Sequence, residues 1–155
     1  MPPKTLALMV IAVASLLVLA GCGKLAQTVT PTPSDASGPQ RVELGQAFEM
    51  KVDERVEILR HPGTASLWFR QVKNDSRCPS DVVCVRAGDA TVEMTGFGSD
   101  GQGTEIALVV DSGDSATAQF DNLFLTVTHL LPYPVSTKPI QPGEYHATVV
   151  VRSQE

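Results

Sequence analysis

Ala90-Thr91-Val92-Glu93-Met94-Thr95 alternates an apolar residue with a polar one at every step. A period of two sends alternate side chains to opposite faces of an extended chain, the pattern of a half-buried strand. The same rhythm recurs outward in both directions. Phe48, Met50 and Val52 alternate with Glu49 and Lys51, and Val56 and Ile58 flank Glu57. Ile106, Leu108 and Val110 form another set, followed by Leu123, Leu125 and Val127 against Phe124, Thr126 and Thr128. Tyr145, Ala147, Val149 and Val151 close the series. Leu67-Trp68-Phe69-Arg70-Gln71-Val72 reads as a further strand of broken phase, as a bulge or coverage of both faces would produce. Gly96 to Gly103 reads as a loop, and Asp111-Ser112-Gly113-Asp114 as a turn. No helical stripe of useful length and no internal repeat interrupts this pattern. About seven short strands predict an all-β chain folded as a single small β-sandwich, with a small barrel as the alternative.

The N-terminal part obeys different rules. Lys4 precedes an apolar run, Leu6 to Ala20, broken only by Ser15 and ending in Leu19-Ala20-Gly21-Cys22. A membrane-spanning helix needs about 20 apolar residues, so the run suits the core of a secretory signal. Its last four residues resemble a lipobox, the site where signal peptidase II cuts before a lipid-modified cysteine. The resemblance implies a lipoprotein signal peptide at 1–21 and lipidation of Cys22. It also implies a membrane anchored through that lipid, with the domain in the cell envelope on the extracytoplasmic side. An uncleaved signal anchor and cleavage by the ordinary signal peptidase are the alternatives. Acyl chains contribute about 0.8 kcal/mol per buried CH₂, so two or three hold a domain firmly.

Between Cys22 and the first strand, Thr28-Val29-Thr30-Pro31-Thr32-Pro33-Ser34-Asp35-Ala36-Ser37-Gly38-Pro39 is rich in Pro, Ser and Thr and contains no aromatic residue. Such a composition buries too little surface to offset its ordering entropy, so residues 22–40 read as a disordered tether. Extended, it reaches about 50 Å. Residues 41–155 form the predicted sandwich domain.

The formal charge of the whole chain is −5. Losing Lys4 with the leader takes −5 to −6, which opposes binding to nucleic acid or direct adhesion to anionic lipid. Charged residues make up 19% of the chain, below the usual quarter, while the hydrophobic share of 43% is ample for one core.

With Cys22 assigned to lipid, Cys78 and Cys84 are left as a pair. In an exported protein the default for such a pair is a disulfide, and the spacing is neither that of a redox C-x-x-C site nor that of a zinc knuckle. Closing so short a loop contributes roughly 2 kcal/mol in the chain-entropy model. Around the pair, Asp75-Ser76-Arg77-Cys78-Pro79, Val83-Cys84 and Ala87-Gly88-Asp89-Ala90 are similar to an element of uncharacterised bacterial lipoproteins and secreted β-domains. There D-S-R-C-P, a second cysteine and A-G-x-A precede a strand. Arg86 stands where such proteins often carry an aromatic residue, so no stacking role carries over to it. The resemblance implies a fold and no activity.

Asp75, Arg77, Asp81 and Arg86 make this loop a candidate binding loop. Arg77 lies between two aspartates, either able to form a charge-assisted fork with it; the structural alternative is that these groups satisfy the loop's own backbone. Leu130-Leu131-Pro132-Tyr133-Pro134-Val135 and the following Pro139-Ile140 are apolar and rigid without strand character. This excursion either closes one end of the sandwich or offers Tyr133 and Ile140 as a contact patch. His129, in phase with Val127, is expected to point inward; His146 is expected outward, and His61 lies in a turn. No metal-ligand ladder is present, and no catalytic signature such as G-x-S-x-G, S-x-x-K or a P-loop occurs. No catalytic residue, metal or cofactor is therefore expected. The reading is a lipid-anchored, non-enzymatic interaction or scaffold module with an envelope protein partner. A small-ligand or metal-binding lipoprotein is the alternative, and a hydrolase-like or inhibitor-like domain acting through Asp75–Gly88 is a third.

Overall fold

A computed structural model describes residues 38–111 and 115–154. The expected signal peptide, Cys22 and most of the tether lie outside the described residues, as do Ser112–Asp114 of the expected turn. The chain is all-β and forms a small two-sheet sandwich not closed into a barrel. Nine strands are present among the described residues: β1 Gln40–Glu43, β2 Ala47–Lys51, β3 Arg55–Leu59, β4 Thr64–Lys73, β5 Asp89–Phe97, β6 Gly103–Asp111, β7 Ala116–Phe120, β8 Leu123–Leu131 and β9 His146–Ser153. One sheet has the order β1-β3-β4-β5-β6 and the other β2-β9-β8-β7. All pairings are antiparallel except β1 with β3, which run parallel.

The alternating residues build the core. Met50, Val56, Ile58, Leu67, Phe69, Val92, Leu125, Val127, Ala147, Val149 and Val151 are completely buried between the two sheets. The irregular β4 carries a bulge between Phe69 and Gln71 that resets its pairing with β5, which explains its broken phase. The two strands beyond the seven expected are β1 and β7, both at sheet edges. Each buries a single residue, Val42 or Phe120, so neither leaves a period-two signature long enough to read. β1 also begins at Gln40, within the segment expected to be tether.

Two further expectations are corrected. His129 is exposed rather than inward, because a bulge between Val127 and His129 shifts β8 by one position and turns Leu130 into the core instead. Gly96 and Phe97 belong to β5, and Gly103 starts β6, so the loop is only 98–102. Gly96 is in the strand for a steric reason. A Cβ there would lie 2.4 Å from the Phe120 ring, which crosses from the other sheet to cover β5.

Gly96→Ala therefore forces Phe120 out of place and should cost about 2 kcal/mol, the range for overpacking a dense core. Urea unfolding of Gly96→Ala, Phe120→Leu and the double variant checks this. The double variant should lose clearly less than the sum of the two singles; strict additivity would disprove the contact.

Candidate functional site

β4 and β8 end at the same end of the sandwich, and the segments leaving them, 74–88 and 132–145, fold against each other there. The first segment begins as an extension of the β4–β5 ladder. Ser76 N donates to Asp89 O at 2.7 Å, and Cys78 N to Ala87 O at 2.7 Å. Gly88 lies between these rungs with φ of +67°, and a Cβ at that position would fall 1.9 Å from the Ser76 carbonyl oxygen. Only glycine fits both the backbone angle and the approach. Beyond the rungs, Cys78 and Cys84 are bonded, with their Cα atoms 5.9 Å apart.

Arg77 is buried, with its side chain 2% exposed. Its Nε and Nη2 donate to the two carboxylate oxygens of Asp75 at 2.8 and 2.7 Å, a bidentate fork. Nη1 donates to Leu130 O at 2.6 Å and Nη2 also to Pro132 O at 3.0 Å. The guanidinium lies 5.2 Å from the centre of the Tyr133 ring. Tyr145, just before β9, donates its phenol to Asp75 Oδ2 at 3.0 Å. Burial opposes ionisation of Asp75, but the hydrogen bonds and charge of Arg77, with the Tyr145 phenol, outweigh it and hold the carboxyl below its ordinary value. Burial, then the bond to Asp75 and its negative charge, push Tyr145 up to about 12.

Of the two aspartates available to Arg77, only Asp75 meets it. Asp81 instead accepts from the Ser136 backbone N–H at 2.8 Å and from the Ser136 hydroxyl. These bonds lower its pKa, first through the hydroxyl and then through the backbone. Ser80 N donates to Pro134 O at 2.9 Å. The two segments are thus stitched together at Ser80, Asp81, Pro134 and Ser136. Arg86 is exposed on the crosslinked loop. Tyr133 and Ile140 do not form one exposed patch: Tyr133 is 39% exposed, whereas Ile140 is half-buried and packs against the core.

Val82, Val83 and Val85 are the exposed apolar group that sequence reasoning missed. Val83 and Val85 are as accessible as in an open chain, at 101% and 104%, and Leu131, Tyr133 and Val135 are exposed on the neighbouring segment. The signal was present in Val82-Val83-Cys84-Val85, an apolar run with no alternation inside a loop too short to form a strand. A cation–π stack on the outer face of the five-stranded sheet was also missed. Arg70 lies 3.8 Å from the centre of the Trp68 ring, and Arg55 lies 5.1 Å from Trp68 and 4.6 Å from Phe97. Its members are far apart in sequence and meet only through strand register.

Beside the crosslinked end, an open cleft of about 730 Å³ is lined by Glu49, Leu131, Tyr133, Lys138, Glu144 and His146. Its lysine and Glu144 pair at 3.2 Å. His129 and His146 are diagonal neighbours on the outer face of the β8–β9 pair, and no group of three metal-ligating side chains converges among the described residues.

Fold and site together define a two-sheet β-sandwich with one crosslinked, apolar-tipped end. No protein-family model, curated protein or solved structure matches the chain.

Asp75→Asn leaves Arg77 buried without a counter-charge and should cost about 3 kcal/mol at pH 7, the lower part of the range for breaking a buried pair. The sign of the pH dependence follows from the depressed carboxyl. Its stabilisation is complete above the unfolded value near 4 and fades as pH falls through the lower folded value. Urea unfolding between pH 7 and pH 2.5 should show that acid loss in the wild type, with a shallower acid limb in Asp75→Asn.

Proposed function

We propose that this chain is a lipid-anchored, extracytoplasmic β-domain that works as a non-enzymatic contact module of the cell envelope, with the crosslinked end as its contact surface. The observation carrying this reading is the full exposure of Val83 and Val85 on a loop held by a disulfide, a buried arginine fork and a stitched neighbour. Isolated exposed valines are ordinary on a surface, but several collected at one rigid end mark an interaction site. A rigid apolar surface also loses little entropy on binding. The polar groups of the end support the same reading. Asp75 and Arg77 satisfy each other and the carbonyls around them, and Asp81 is occupied by Ser136, so their role is to hold the loop. The lipid anchor rests on the run Leu19-Ala20-Gly21-Cys22.

Intact-mass analysis of the full chain from membranes, under non-reducing conditions, tests both parts. The expected product begins at Cys22, carries acyl mass, lacks two hydrogens for Cys78–Cys84 and holds no other ligand. Cys22→Ser should remove the acyl mass and block the cut before residue 22, leaving a product that begins upstream of it. A retained small molecule or metal would overturn the contact-module reading in favour of a ligand-binding lipoprotein. Val83→Ser with Val85→Ser should alter folding stability by less than about 0.5 kcal/mol, as surface substitutions do; a larger loss in urea unfolding would show that these valines support the fold and are not held for contact.

A further inference from the structure

We infer that the crosslinked end faces the anchoring membrane and that Val83 and Val85 insert into its surface, an inference resting on the lipid-anchor reading above. The argument begins with strand direction. β1 runs parallel to β3, with Gln40 opposite Val56 and Glu43 opposite Leu59. β3 runs against β4, with Leu59 opposite Thr64, while β4 continues to Lys73 and the crosslinked loop. β1 therefore starts on the side of the crosslinked end and runs away from it, so Gly38 and Pro39 lead into the sandwich from that side.

The segment Gly23–Ser37 spans at most about 50 Å when extended. A chain tethered at Cys22 holds its crosslinked end in the layer next to the bilayer at a high effective concentration. Weak insertion then becomes populated without a large apolar area, just as a single short acyl chain suffices once a second membrane signal is present.

The chemistry of the end suits shallow insertion. Its most exposed side chains are branched aliphatics, and half-exposed Tyr133 lies beside them, a residue type favoured where lipid meets water. The loop tip carries one charge of each sign, Asp81 and Arg86, so its local charge is balanced and the acidity of the domain as a whole does not repel it. Asp81 and the backbone N–H groups of Cys78, Ser80 and Val82 already have partners within the protein. The insertion is shallow: the side chains of Val83 and Val85 enter hydrocarbon while the backbone that carries them stays at headgroup level, in contact with water. The opposite end presents Arg60 bonded to Asp121 and Asn122.

The test uses the full lipid-modified chain in neutral phosphatidylcholine vesicles whose acyl chains carry bromine, a contact quencher of tryptophan. Val83→Trp is compared with Phe124→Trp, an exposed site at the opposite end, with native Trp68 common to both. V83W should lose at least a third of its added emission, and F124W should lose none. Acyl mass at Cys22 is verified on the same samples. Equal fractional quenching of the two variants on a lipid-modified chain overturns this inference alone and turns the end toward a protein partner. A chain without acyl mass overturns both this inference and the anchor reading.

Discussion

A guanidinium withdrawn from water must find acceptors in fixed directions, and Arg77 finds them on two segments that the chain keeps more than fifty residues apart. Its fork with Asp75 neutralises it within its own loop, while its remaining donors reach the carbonyls of Leu130 and Pro132 at the end of β8. Leu130 belongs to β8 of the opposite sheet and Pro132 follows directly after it, so one side chain ties the two layers together where no strand pairing can. Tyr145 ties the chain entering β9 to the same carboxylate. A buried ion pair of this kind gains little net energy over a hydrocarbon replacement, since desolvation offsets much of its attraction. Its effect is geometric: the crosslinked loop has one position relative to the proline-rich segment, and the stitches at Ser80 and Asp81 form only in that position.

The two ends of the sandwich answer the same closure problem with different surfaces. At the far end, the nearly buried Arg60 reaches across from the β3–β4 turn to Asp121 and Asn122 between β7 and β8, leaving a polar rim. At the near end the arginine lies inside, and the residues pushed outward are valines, a leucine and a tyrosine. Both ends are fastened between sheets, but the far end exposes Leu59 and Phe124 only partly, whereas Val83 and Val85 at the crosslinked end are fully exposed. That asymmetry makes the crosslinked end the candidate site.

The core was legible in the sequence because alternation is a local signal. Phe48 with Met50, Val56 with Ile58, and Leu123 with Leu125 and Val127 all lie where a period of two puts them. Legibility failed where a single backbone irregularity resets the phase. The bulge in β8 exposes His129 and buries Leu130, and no property of either residue announces it. Edge strands failed for another reason: β1 and β7 bury too little to write a pattern. At the candidate site, the proximity of Asp75 and Arg77 in sequence made their fork readable. Leu130, Pro132, Ser136 and Tyr145 complete it through contacts that only the folded chain creates.

The parallel pairing of β1 with β3 has a mechanical consequence. Tension on the segment before Gly38, directed along β1, loads every hydrogen bond between these two strands at once, in shear. Peeling them one rung at a time would need a pull from the side. The Arg41–Glu57 ion pair at 2.7 Å and the buried Val42 lie within the same short overlap and resist the same sliding motion. A four-residue strand at a sheet edge is a weak element by itself, yet a pull along its own axis meets all of its rungs together, where a sideways pull meets them singly.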